Sequence, residues 1–385
     1  MKKVIGLFAC LSLWANANAQ IITEQEALAK ALKSYPSIRL AEQATRQRAA
    51  LERTAFNPQQ TQVTLETPTD VGVGVEVQQQ FEFPTVYGKR AKWLKNQTRL
   101  ATEATALSTR ELTQQVRLAY LEAQTAAAQL QFLERQDSLW QDIAASSRRL
   151  FEAGQINRAD LLFAESKAGQ VSNSLLQSRA DAANALAALA VFINEPIAQV
   201  ADLQKLPLIA KDAETPFYFE PYFAQKQQVA TSEIALRKSE RLPGLLLGYS
   251  YVTEVETQFH SRLRAGITVP LFQGQYKGEI EAAEIALESA QTEATLQNQQ
   301  ARAMRIQLLQ TLRQTEQSID WLEKTGLPQV EELIGTSRRL YEGGEYDYVL
   351  MLRNIADALA LQMQYLQTLQ RHNEAVIQLE FLSAF

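Results

Sequence analysis

No proline interrupts the stretch between Pro84 and Pro196 (196 − 84 − 1 = 111 residues). Within it Leu112, Val116, Ala119, Ala123, Ala126, Leu130 and Leu133 alternate steps of four and three, the spacing of a coiled-coil seam. A helix running from Lys89 to Glu152 at about 1.5 Å per residue would be on the order of 90–100 Å long, too long for a compact globule of this size. Only 15 glycines and 11 prolines occur in 385 residues, so little in the composition opposes long helices. A second seam follows at Ile280, Ala283, Leu287, Ala290, Ala294, Ala301, Met304 and Leu308. It takes an extra step of four to Leu312, a stutter predicted to unwind the supercoil locally.

The two seams belong to a tandem duplication. "SRRLFEAGQ" (147–155) returns as "SRRLYEGGE" (337–345), 337 − 147 = 190 residues later. "YPSIRLAEQATRQRAALERTAFNP" (35–58) resembles "EPYFAQKQQVATSEIALRKSERLP" (220–243), and "FPTVYGK" (83–89) faces "VPLFQGQ" (269–275). The predicted organisation is a leader over 1–19, a first repeat over 20–195, a proline-richer connecting segment over 196–220 and a second repeat over 221–385. Each repeat reads helix, extended hairpin, very long helix, repeated phrase, helix.

The hairpins limit where the chain can reside. From Val71 to Phe83 the odd positions are apolar except Gln79, and the even ones are glycine, Glu76, Gln78, Gln80 and Glu82. In the second repeat Leu263, Ala265, Ile267, Val269 and Leu271 share one face, and Arg262, Arg264, Gly266 and Thr268 the other. "TQVTLET" (61–67) and "LLLGYSYV" (245–252) supply the partner strands. Strands of this length suit a membrane barrel. Four strands cannot enclose a lined interior, and open sheet edges are not tolerated in lipid. Several chains pooling their hairpins would resolve this, with the apolar face on lipid and Glu76, Glu82, Arg262 and Arg264 on the lumen. A small soluble sandwich flanked by helices, or a soluble coiled-coil rod, is the alternative architecture.

"MKKVIGLFACLSLWANANAQ" has the basic start, apolar run and Ala17-Asn18-Ala19 site of a secretory leader, too short to span a bilayer. Its removal takes two lysines from a formal charge of −5, giving −5 − 2 = −7. An acidic chain without a basic cluster argues against a nucleic-acid partner. The single cysteine, Cys10, lies in the leader, where "LFAC" loosely resembles a lipidation site; the remainder offers no thiol chemistry. His260 and His372 lack companions at metal-ligand spacing and read as surface residues, and three methionines beyond the leader are too sparse for a soft-metal relay. No nucleophile elbow, Walker loop or dinucleotide fingerprint occurs. The chain is therefore predicted to be no enzyme and to hold no cofactor or metal.

Leader, duplication, amphipathic hairpins and heptad helices together resemble the TolC family of outer-membrane efflux ducts. "NPQQTQVTLETP" (57–68) and "LPGLLLGYSYV" (242–252) are similar to its helix-to-strand passages. "QQFEFPTVYGKRAKWLKNQ" (79–97) is similar to the strand-to-helix passage of its heavy-metal, CzcC/CusC-like branch. "RRLFEAGQINRADLLFAES" (148–166) resembles its turn at the periplasmic tip. The resemblance implies a mainly α duct in which four strands per chain complete a trimeric twelve-stranded barrel, continued by an α-helical periplasmic tunnel. It also implies an outer-membrane location, a periplasmic adaptor, an inner-membrane pump of the resistance-nodulation-division type, and heavy-metal cations or small toxic compounds as cargo. Arg148, Arg149, Gly154, Asp160, Arg338, Arg339, Tyr341, Gly344 and Asp347 are then candidates for the tip turns and gate, with Asp160 and Tyr341 as a hydrogen-bonded pair. Where Asp160 follows the first glycine by six residues, Leu350 stands after the second, and Asp347 is the nearest acid. A periplasmic coiled-coil scaffold or adaptor-like protein without a barrel is the other reading.

Overall fold

A computed structural model describes residues 21–66, 73–207, 215–253, 259–342, 345 and 347–383. The leader with Cys10, Val71 and Gly72 of the first hairpin, part of the connecting segment and Gly344 lie outside the described residues. The elements in chain order are β1 (Ile21–Ile22), α1 (Glu24–Ser34), α2 (Pro36–Leu51), β2 (Gln62–Glu66), β3 (Gly74–Phe81), α3 (Pro84–Glu152) and α4 (Arg158–Ile193). They continue with β4 (Gln199–Val200), α5 (Glu220–Ser239), β5 (Gly244–Thr253), β6 (Phe259–Thr268), α6 (Gly274–Trp321), α7 (Leu327–Glu342) and α8 (Tyr348–Leu382).

The long helices follow the heptads. Helix α3 is 69 residues long, and Pro84 opens it, where a missing N–H is no loss. Its counterpart is α6, a five-residue π-turn at Leu322–Gly326 and α7, together 48 + 5 + 16 = 69 residues. The break thus lies beyond the stutter. Leu308 and Leu312 are buried within uninterrupted helix, whereas at the π-turn the Leu327 N–H reaches back five residues to the Leu322 carbonyl. The cause is Pro328, next in the chain: it cannot donate to the carbonyl four residues back, and its ring crowds that turn. Gly326 packs closely there: a Cβ would come within 3.3 Å of the Leu322 and Trp321 side chains, which would have to give way.

The chain divides into two compact units, each drawing on both sequence repeats. One comprises Met1–Ser34, Val116–Lys205 and Gln317–Asn373. Its core is built on Trp140, Ala164, Ala168, Tyr348, Met351, Leu352, Ile355 and Leu359. The parallel pair β1–β4 fastens the start of the described chain there, and the buried Tyr120 hydroxyl donates to the Ile22 carbonyl (2.8 Å). The other unit comprises Tyr35–Gln115, Leu206–Glu316 and Glu374–Phe385, with a core of Phe217, Phe219, Ala301, Leu308, Leu312, Val376, Leu379 and Leu382. It also carries the antiparallel sheet β2-β3-β5-β6.

Both hairpins form as the alternation predicts, and β3 pairing with β5 joins them into one sheet. The first ends two residues early: β3 stops at Phe81, and Glu82 and Phe83 lead into Pro84. His372 corrects the expectation of a surface histidine, being 1% exposed on α8. The side chain of His260 is outside the described set. Among the described residues no helix is long and apolar enough to cross a membrane.

Candidate functional site: the sheet and the hairpin bends

The sheet has two unlike faces. On one, Val63, Leu65, Val75, Val77, Leu245, Leu247, Tyr249, Leu263 and Ile267 are all exposed, Leu263 to 88% and Ile267 to 69%. Isolated exposed leucines need no explanation, but a contiguous apolar face does. The other face carries cross-strand rows Thr64–Glu76–Ser250–Arg262 and Gln62–Gln78–Gly248–Arg264. Arg264 on β6 reaches over β5 to Glu76 on β3, its Nη1 donating to the carboxylate at 2.5 Å. Gly248 lies beneath that bond. A Cβ there would meet Arg264 Cβ at 3.5 Å and the Val77 carbonyl at 3.6 Å. Of the predicted lumen residues, Glu76, Arg262 and Arg264 share this polar face. Glu82 lies beyond the strand and accepts a two-armed bond from Arg90 on α3 (2.6 and 2.7 Å), a planar fork that fixes the strand-to-helix passage. Strands β2 and β6 are the two edges.

The bends belong to the other unit and share several bonds at the same register. At the first, Gly154 adopts φ +71°, and the Gln155 N–H returns to the Leu150 carbonyl at 2.8 Å. At the second, the Glu345 N–H returns to the Leu340 carbonyl at 2.9 Å, both positions displaced by 190. Arg149 donates to Ser146 Oγ and Arg339 to Thr336 Oγ1, each at 3.1 Å and again displaced by 190. The caps follow the same register. Asn157 accepts from the Asp160 N–H (3.0 Å) to start α4, and Asp347 accepts from the Leu350 N–H (2.7 Å) to start α8. Since 157 + 190 = 347 and 160 + 190 = 350, Asp347 matches Asn157, and the true counterpart of Asp160 is Leu350.

That substitution separates the bends. Asp160 accepts from the Asn157 N–H (3.1 Å), completing a reciprocal capping box that Leu350 cannot make. Arg148 pairs with Glu165 (2.5 Å), whereas Arg338 makes no ion pair among the described residues. Asp160 and Tyr341 make no hydrogen bond to each other among the described residues; Asp160 Oδ2 accepts from its own cap. Burial pushes the Tyr341 phenol above its ordinary pKa, with a further push from the Asp160 charge.

The sequence reading missed the contacts that join the bends to the core. Ser147 and Ser337, equivalent and almost wholly buried, both bond to α8. Ser147 Oγ meets the Tyr348 hydroxyl at 2.7 Å, and Asn354 Nδ2 donates to Ser337 Oγ at 3.0 Å. Tyr341 packs against Tyr348, ring centroids 5.2 Å apart. Burial raises the Tyr348 pKa, opposed by its bond to Ser147. The signal lay in the repeated phrase, which opens on the same serine in both copies. Among the described residues, no group of three or more His, Cys, Asp or Glu side chains is placed to hold a metal ion.

No family model and no curated protein sequence matches the chain. Solved structures do. A membrane protein from Pseudomonas aeruginosa superposes with TM-score 0.81 at 14% identity, over 93% of this chain and 89% of its own. CusC, described with conformational changes accompanying folding and transmembrane channel formation, gives 0.79 at 16% identity over 97% and 96%. The open state of the MtrE outer-membrane channel of Neisseria gonorrhoeae gives 0.75 at 17% over 93% and 88%. At these identities the likeness shows the fold: the chain folds as these membrane and channel proteins do.

Proposed function

We propose that this chain is the outer-membrane channel component of a tripartite efflux system, a passive duct and not an enzyme. Three copies would each contribute four strands, 3 × 4 = 12, to one closed barrel, and the long helices would form the tunnel through the periplasm. The observation that carries this reading is the sheet: an exposed apolar face backed by a face of Glu76, Arg262, Arg264 and glutamines, with two unpaired edges. In water such a face would be an aggregation hazard; in lipid it is a requirement. The fold shared with solved outer-membrane channels supports the same reading, as does the predicted leader.

The bends would stand at the periplasmic end, where a membrane-fusion adaptor and, through it, an inner-membrane pump of the resistance-nodulation-division type would engage. Arg148, Arg149, Arg338 and Arg339 would dress that end, Gly154 turns it, Gly344 holds the equivalent place in the sequence repeat, and Asp160, Tyr341 and Asp347 would belong to its gate. The cargo follows the pump; the resemblance of the strand-to-helix passage implies heavy-metal cations or small toxic compounds. Fractionation tests the assignment. A channel stays with the outer membrane until detergent is added and then migrates as a trimer. Release with the periplasmic contents, in the absence of detergent, would identify a scaffold instead.

A further inference from the structure

The edge strands carry opposite charges on the polar face. At the β2 edge Glu66 is exposed and makes no ion pair among the described residues. At the β6 edge Arg262 is likewise exposed and unpaired among the described residues, and Arg264 has bonded only one of its amino groups, to Glu76. Each strand is antiparallel to its neighbour, so β2 and β6 run in opposite directions. The β2 edge of a second copy can therefore add to β6 as another antiparallel strand, with apolar and polar faces continuous.

The geometry points to one register for this seam, on the premise that the chain forms a three-copy barrel as proposed above: Glu66 of one copy lies opposite Arg264 of the next. Within a chain, Gln62, Gln78, Gly248 and Arg264 lie in one cross-strand row. If Arg264 then meets Glu66 of the next copy, the row advances by 66 − 62 = 4 residues per chain. Four residues of about 3.3 Å rise over four strands about 4.7 Å apart give a tilt of about 35°, within the range of membrane barrels.

The neighbouring registers fit less well. Placing Thr64 opposite Arg264 advances the row by 64 − 62 = 2 residues, a tilt of about 19°, too flat for a closed barrel. An advance of about six residues gives about 46° but sets Gln62 opposite Pro270, beyond the end of β6 and without an N–H to donate. In the favoured register all of β2 (Gln62–Glu66) lies against Arg264–Thr268. Val63 then meets Ile267 and Leu65 meets Ala265 on the apolar face, while Thr64 meets Gly266 on the polar one. Arg264 is held between Glu76 of its own chain and the incoming Glu66, with Arg262 at the diagonal.

Disulfide trapping reads the register directly, because Cys10 is the only cysteine in the sequence and lies in the predicted leader. Thr64→Cys with Gly266→Cys, oxidised in outer-membrane fractions, is expected to give covalent dimers and trimers lost on reduction; Gly266 has room for a Cβ, its nearest neighbour being 3.6 Å away. Thr64→Cys with Arg264→Cys should cross-link at least tenfold more slowly. The reverse order, or trimers without cross-links in either pair, overturns the register while leaving the channel reading intact. Unoxidised protein that stays monomeric in detergent overturns both.

Discussion

The two hairpin bends are built from one phrase, yet they are closed in different ways. Both return an N–H to the carbonyl five residues back, both tie a second arginine to a hydroxyl three residues earlier, and both seat a buried serine against α8. They differ at the third residue of the outgoing helix, where Asp160 caps reciprocally and Leu350 cannot. Duplication conserved the turn, and divergence acted on how firmly the next helix begins. The second bend, with a single-sided cap and no ion-pair partner for Arg338 among the described residues, is the one expected to open more readily.

The largest expected effect comes from the first turn itself. Gly154→Val places a branched side chain at φ +71° in otherwise open space, so the cost is purely conformational, about 1–3 kcal/mol. Hydrogen–deuterium exchange over residues 150–160 should rise accordingly, and unchanged protection would show that Gly154 does not hold the turn. The caps come next. Asn157→Ala and Asp347→Ala should each cost about 1 kcal/mol locally, with the first larger because it dissolves a capping box. A silent Asp347→Ala would break the equivalence drawn between these two residues.

Tyr348→Phe should cost about 0.5–1.5 kcal/mol, since Ser147 keeps its bond to the Ile143 carbonyl. The same contact has an alkaline limb. Tyr341 and Tyr348 titrate higher in the folded state than in the unfolded one. Their contribution is therefore complete below the unfolded value of about 10 and is lost as pH rises through the folded values. Thermal melts between pH 9 and pH 12 should fall less steeply in the phenylalanine variant. The smallest effect is a gain: Leu350→Asp gives the second bend its missing acid, worth about 0.3–1 kcal/mol, and should slow exchange at the start of α8.

Much of this arrangement was legible in the sequence. Period-two alternation marked β3 and β6, and heptad steps marked α3 and α6, because both patterns record which face is kept from water; β2 and β5 were legible only as extended partner stretches. The bends were legible as a repeat, but their inner equivalence was not. Counting six residues from each glycine already set Leu350 against Asp160, but that Asp347 stands for Asn157 as a helix cap emerges only from the backbone bonds. The π-turn was not foreseen. The seam registers a stutter at Leu312, but the backbone yields where Pro328 withholds a hydrogen bond. The β3–β5 junction and the burial of His372 were out of reach, since each depends on which segments meet in space. Glu82 alternates correctly but is taken from the strand by Arg90, a partner eight residues on.

The central claim is that three copies close a water-filled pore through a membrane. Its most direct measurement is the conductance of the purified detergent-extracted protein added to a planar lipid bilayer. The expected result is discrete, ohmic steps of uniform size carried by a trimer, and changed by reversing charge at Arg262 on the polar face. Protein that is released without detergent, remains monomeric and leaves the bilayer silent would contradict it.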